Sequence, residues 1–219
     1  MNQIAIIKET PDHVKNATGL GNENVNFESL QTPRLKLLQD MSGEVKKSDP
    51  RYIKGAEAGM ILNTVANKVC EDVFVINIKF ESGIVAFEKM TNMPFKAPTS
   101  SGLFESVKAA EDALMFEGRN PEDYDIKDSH MHSVLVLDPE TGKPSPATMD
   151  FMKTKVKASK EWNTLITDQG GDRFSSIWHV KPVIQTYNGN SWYNYSFEFY
   201  GWCDEDTYEL AKKIHASLS

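Results

Sequence analysis

The chain has 219 residues, 40% hydrophobic and 25% charged, enough apolar material for one full core without disulfide or metal staples. A net charge of −7 argues against a uniformly basic nucleic-acid binder, and two cysteines, Cys70 and Cys203, are too few for a disulfide framework and point to a reducing compartment. The apolar run Ile4-Ala5-Ile6-Ile7 is too short for a signal-peptide core and no stretch approaches a membrane span, so a cytoplasmic protein without a membrane partner is expected.

Residues 1–29 have no sustained period and read as a flexible arm, with Gly19-Leu20-Gly21-Asn22 a turn; residues 30–219 read as one domain. Pro33-Arg34-Leu35-Lys36-Leu37 predicts a short edge strand, because proline opens it and apolar and basic residues then alternate. Residues 46–54 form a polar, basic loop. Strands are predicted over 59–64, 73–80 and 84–90, with Ser82-Gly83 as the tight turn between the last two. In the middle strand Phe74, Ile76, Ile78 and Phe80 share one face and Val75, Asn77 and Lys79 the other.

Residues 92–102 read as a loop. Residues 103–117 predict a helix with Leu103, Val107, Ala110 and Leu114 on one stripe, closed by Gly118. An acidic connector follows over 119–129, making 103–128 a helical and acidic insertion in the domain. Residues 132–137 and 147–152 predict strands flanking a turn-rich excursion, and 154–167 a helix that Gly170-Gly171 ends. Two long strands, 176–186 and 191–202, meet at Asn188-Gly189, a strong hairpin signal. Asp204 caps a last helix with Tyr208, Leu210, Ala211, Ile214 and Leu218 as its apolar stripe. The fold class is therefore mostly β (α+β): an OB-like small antiparallel barrel with inserted helices and a C-terminal helix.

Charge is unevenly spread. Residues 105–128 hold eight acidic and three basic side chains, whereas 143–187 hold seven basic and four acidic ones. No G-x-S-x-G elbow, Walker A loop, H-E-x-x-H or kinase set is present. His130 and His132 share a strand face, but a metal needs further ligands, and solvated histidines at a strand entrance are the expectation. The acidic run 122–128 lacks the glycine and distant glutamate of a calcium loop.

The hairpin carries the clearest signal. Alternation puts Tyr193, Tyr195, Phe197 and Phe199 on one face, the natural core face, and Trp192, Tyr200 and Trp202 on the other. Aromatic rings beside lysines are the ingredients for single-stranded nucleic acid, whose bases stack while cations track the phosphates. The candidate DNA-binding residues are Lys153, Lys155, Lys157, Lys160, Arg173, Trp178, Lys181, Tyr187, Trp192, Tyr200 and Trp202. The same rings could instead be core, or a subunit interface.

The segments 33–39 (Pro-Arg-Leu-Lys-Leu-Leu-Gln) and 59–64 (Gly-Met-Ile-Leu-Asn-Thr), with the stretch from Lys-x-Trp at 160–162 to Asn-Gly-x-Ser-Trp-Tyr at 188–193, resemble OB-fold single-stranded DNA-binding proteins of tailed, broadly T7-like phages. That resemblance implies sequence-independent binding of single-stranded DNA in phage replication or recombination, no catalysis and no cofactor. Such proteins recruit replication partners through an acidic C-terminal tail; here Asp204-Glu205-Asp206 is followed by a helix that runs through Lys212-Lys213 to the end of the sequence, leaving the acidic segment at 117–128 for that role. The competing expectations are a phage structural or adaptor protein, a homodimer through the aromatic hairpin, or a metal-dependent nuclease built on the acidic block and His130/His132.

Overall fold

The computed structural model describes residues 20–21, 31–89 and 103–218. Apart from Leu20-Gly21, which form a turn, the predicted arm at 1–29 lies outside the described residues, as does the predicted loop at 92–102. Contacts divide the chain into Met1–Gln31 and Thr32–Ser219, and the elements below belong to the second unit.

Among the described residues, two antiparallel sheets and three α-helices make a mostly-β, α+β fold. The small sheet has the order β1 (Leu35–Leu37), β2 (Ile61–Asn63), β3 (Lys68–Cys70). The large one runs β6 (Pro144–Met152), β5 (Tyr124–Leu137), β4 (Val73–Glu88), β7 (Ser176–Tyr187), β8 (Asn190–Trp202). The expected OB-like closure does not form among the described residues. Closing a barrel would require the edge strands β6 and β8 to pair, and the small sheet occupies the space beside both. It meets β6 through a parallel bridge, Arg34 to Thr148, and β8 through the side chain of Gln39.

The expected turn at Ser82-Gly83 is absent. β4 continues as one 16-residue strand, and every residue from Lys79 to Glu88 pairs with β5. Gly83 does not take the left-handed backbone a tight hairpin turn demands. Its missing side chain instead admits Leu103 and Phe104, each with an atom 3.1 Å from where a Cβ would stand. Partnering β4 turns most of the predicted acidic connector into strand: Tyr124 and Ile126 pack toward Ala86 and Leu114, while Asp125 pairs with Lys127 at 2.6 Å. A bulge at Ile78, between the pairs Asn77–Val134 and Lys79–Ser133, also shifts the alternation. Phe80 therefore leaves the face of Ile76 and Ile78 and packs on His130 and His132.

Helices cover both faces of the large sheet. α1 (Val107–Phe116) starts later than the spacing predicts, because Ser106 accepts a hydrogen bond from the Ala109 N–H at 3.1 Å, and Phe104 bridges to Ile84 as extended chain. Ala110 and Leu114 are buried, but Val107 is exposed. α2 (Lys155–Gln169) buries Ala158, Trp162 and Ile166 against Val75, Met149, Phe151, Trp178 and Val180, a core that also takes Leu35, Leu37 and Ile61 of the small sheet. α3 (Glu205–Ser217), capped by Asp204 at 2.8 Å from the Thr207 N–H, buries Ala211 against Ile76, Ile78 and Leu135 on the opposite face. Leu210, expected on that stripe, is exposed. The hairpin forms as predicted, with Asn188 and Gly189 both at positive φ (48° and 77°), the requirement of a two-residue turn matched to strand twist.

Candidate nucleic-acid interface

The alternation rule places four of the hairpin's rings correctly. Tyr195 is buried, and Tyr193, Phe197 and Phe199 pack against the same core. Trp178, however, is a packing residue and not a stacking one. It is 1% exposed, its Nε1 donates to Ser176 Oγ at 2.8 Å, and Phe199 meets it edge-on. A second bulge, where Trp178 pairs with Phe199 but Ile177 pairs with Gly201, leaves Tyr200 without a strand partner. Tyr200 and Trp202 consequently do not form one surface. Tyr200 packs on Phe74 with its centroid at 4.6 Å, next to His179, whereas Trp202 leans edge-on against Phe199.

Two predicted cations are already committed. Arg173 donates to Asn163 Oδ1 at 3.0 Å and Asn77 Oδ1 at 3.3 Å, and Lys181 pairs with Glu198 at 2.7 Å. Lys160 is exposed on α2, near enough to His130 to help depress that imidazole's pKa, which burial lowers first. Lys153, Lys155 and Lys157 stand at the start of α2, where the hairpin is fastened. The buried Asn194 does the fastening, its Nδ2 donating to Gln185 Oε1 at 3.0 Å and to the Thr154 carbonyl at 3.4 Å. Tyr187 and Trp192 lie further out on the same hairpin; Tyr187 is 69% exposed and Trp192 half-buried.

Lys155 is the centre of a cluster only partly foreseen. Its ammonium lies 5.6 Å from the centroid of the Tyr195 ring, and the Tyr195 hydroxyl donates to the Leu35 carbonyl at 3.1 Å. Arg34, just before β1, and Lys36 on it add their charges to the surroundings of Lys155. Arg34 Nη1 pairs with Asp150 at 3.0 Å and Lys36 with Glu44 at 2.7 Å, but no carboxylate among the described residues lies within ion-pair distance of Lys155. Burial, then the charges of Arg34 and Lys36, bring the Lys155 amine down to about 8 against the pull of Asp150. Burial likewise raises the Asp150 carboxyl, and Arg34 and Lys155 oppose it. Arg34 and Lys36 were missed as site residues. The signal was present: in Arg34-Leu35-Lys36-Leu37 alternation buries both leucines and must turn both cations the other way.

His130 and His132 do share a face, but His132 is fully buried and not solvated as expected. Asn77 Oδ1 accepts from Arg173, so its Nδ2 donates to His132 Nδ1 at 2.8 Å. His132 Nε2 then donates to Ser159 Oγ at 2.7 Å, which leaves the Ser159 hydroxyl to donate to His130 Nδ1 at 2.8 Å. Both nitrogens of His132 are thereby occupied. Burial first, then Arg173, lowers its pKa to about 3. Among the described residues no group of three or more His, Cys, Asp or Glu stands together, and no helix is long and apolar enough to cross a membrane.

No match is found among curated proteins or among solved structures. The family model described as Pam3 phage gp34-like protein matches residues 2–219. A match over nearly the whole length shows the family: the chain belongs to the Pam3 phage gp34-like proteins.

Proposed function

We propose that this phage-family chain is a binding protein for single-stranded DNA, with no catalytic role and no cofactor. Its phosphates would be met at Lys155, Arg34 and Lys36, and its bases by the exposed rings of the adjoining hairpin. The observation that carries this reading is the Lys155 ammonium, half-buried, flanked by two further cations and, among the described residues, without a carboxylate within ion-pair distance. A desolvated ammonium without a counter-ion is costly, and an anion arriving there relieves the cost. A phosphodiester fits the place, because its two free oxygens can bridge a lysine and an arginine at once. Lys157 is exposed on α2, and Tyr187 and Trp192 offer apolar ring area on the hairpin.

The test is titration of the protein with a fluorescently labelled oligo-dT at several salt concentrations. Affinity should fall steeply as salt rises, with a log–log slope of roughly −0.7 per phosphate neutralised. Lys155→Gln should weaken binding by about tenfold and make that slope shallower. A folded protein that shows no binding at low salt removes the proposal, and a salt-independent complex would point to a protein interface in its place.

A further inference from the structure

The outer part of the β7–β8 hairpin stands apart from the sheet that carries it. β4 reaches β7 only as far as Val180, which pairs with Val73. From Lys181 to Tyr187, β7 has β8 on one side and, among the described residues, no strand on the other, a ribbon of about 20 Å. Its β8 edge is held at Tyr193 by the side chain of Gln39, which leaves the β7 edge as the open one. The ribbon also exposes Val183, Ile184 (60%) and Tyr187.

The direction of the backbone on the open side follows from two independent facts. The two-residue turn makes Tyr187 and Asn190 the closing pair, so Thr186 and Ile184 direct their N–H and C=O groups outward. Pro182 falls in the same register, and proline is tolerated inside a paired strand where its missing N–H would have faced away from the partner. The open edge beyond Pro182 thus offers the N–H groups of Ile184 and Thr186 in a β-branched stretch without a protecting charge.

Charge indicates what covers it. Residues 182–197 carry no ionisable acid or base other than tyrosine, in a chain of net charge −7. With no charge of its own, the ribbon's β7 edge is where two copies of an acidic chain can meet without repulsion. An edge that presents alternating donors and acceptors is also complementary to its own two-fold copy. We propose that this face is occupied by a second copy of the chain: the β7 edges of two molecules pair antiparallel, centred near Ile184, to make a homodimer.

Sedimentation equilibrium on the full chain tests this. At about 50 μM, well above the ~1 μM dissociation constant of a modest interface, the mass should be twice the 24.7 kDa of one chain. Thr186→Pro, which deletes one outward N–H, and Ile184→Lys, which places like charges opposite each other, should each raise the dissociation constant at least about tenfold. Both positions are exposed, so circular dichroism should stay unchanged; if Thr186→Pro disturbs the turn, Ile184→Lys decides. A wild-type monomer at this concentration overturns the proposal. So does a dimer that both variants leave intact.

Discussion

The side-chain amide of Gln39 holds both backbone groups of Tyr193: its Nε2 donates to the Tyr193 carbonyl and its Oε1 accepts from the Tyr193 N–H, each at 2.9 Å. One glutamine thus acts as a one-residue strand along the β8 edge. On the same seam, Gly59 has φ +91°, and a Cβ there would stand 2.6 Å from the Tyr193 ring. The small sheet is fastened to the hairpin by a glutamine that replaces backbone and a glycine that makes room.

Loss of either should therefore destabilise the protein without touching the charged cluster. Gln39→Leu removes two hydrogen bonds and should cost about 1–3 kcal/mol. Gly59→Ala combines an unfavourable backbone with overpacking and should cost a similar ~1–3 kcal/mol. Urea denaturation with an unchanged m-value measures both, and a change below about 0.3 kcal/mol would mean the seam adds no stability.

The buried histidine makes the fold acid-sensitive. His132 has a folded pKa of about 3 against an ordinary 6.5, so the unfolded chain binds the extra proton between those values. Its contribution is complete above pH 6.5 and is lost as pH falls below it, at up to about 1.4 kcal/mol per pH unit. His132→Asn should flatten stability against pH between 6.5 and 4, and His130→Asn should leave most of the slope. Chemical denaturation across that range reads the difference.

Lys155 gives binding the opposite pH dependence. With an amine at about 8, the free site loses its charge as pH rises from 7 to 9, and oligo-dT affinity should fall over that interval. Bound phosphate moves the midpoint upward. Lys155→Arg should keep the affinity and remove the pH dependence, since a guanidinium stays charged. Stability moves the other way. The unfolded lysine, at its ordinary 10.5, holds more protons than the folded one between 8 and 10.5, so the free protein gains stability there.

Fluorescence should separate the tryptophans. Trp162 and Trp178 are buried, while Trp202 is exposed and Trp192 half-buried. Quenching by oligo-dT should be lost in the Trp192→Phe/Trp202→Phe double variant and persist in Trp178→Phe. Quenching that survives the double variant would assign the signal to a conformational change around the buried rings.

How much of this was legible in the sequence depended on whether a local pattern decided the outcome. The Asn188-Gly189 turn, the Asp204 cap and the burial of Tyr195 follow from backbone geometry and alternation within one segment, and they are found where expected. Ser82-Gly83 has the same local appearance as a turn, but fourteen residues of β5 supply a partner that holds the chain straight. The bulges at Ile78 and Tyr200 each insert one residue, which no period in β4 or β8 announces, and they redirect Phe80 and split Tyr200 from Trp202. The charged cluster was half visible. Lys155 was only one of several candidate lysines before the hairpin, and Arg34 and Lys36 join it only because Arg34 bridges to Thr148, more than a hundred residues away in sequence.

The Arg34–Asp150 ion pair ties the proposed ligand site to proton uptake. Asp150 is already pushed toward its protonated form by burial and is restrained by Arg34 and Lys155. A phosphate that engages both cations shares their charge and weakens that restraint, which pushes the carboxyl further in the direction burial already takes it. Heat of binding measured in buffers of different ionisation enthalpy would then differ, and Asp150→Asn should reduce the difference to the share that the Lys155 amine contributes.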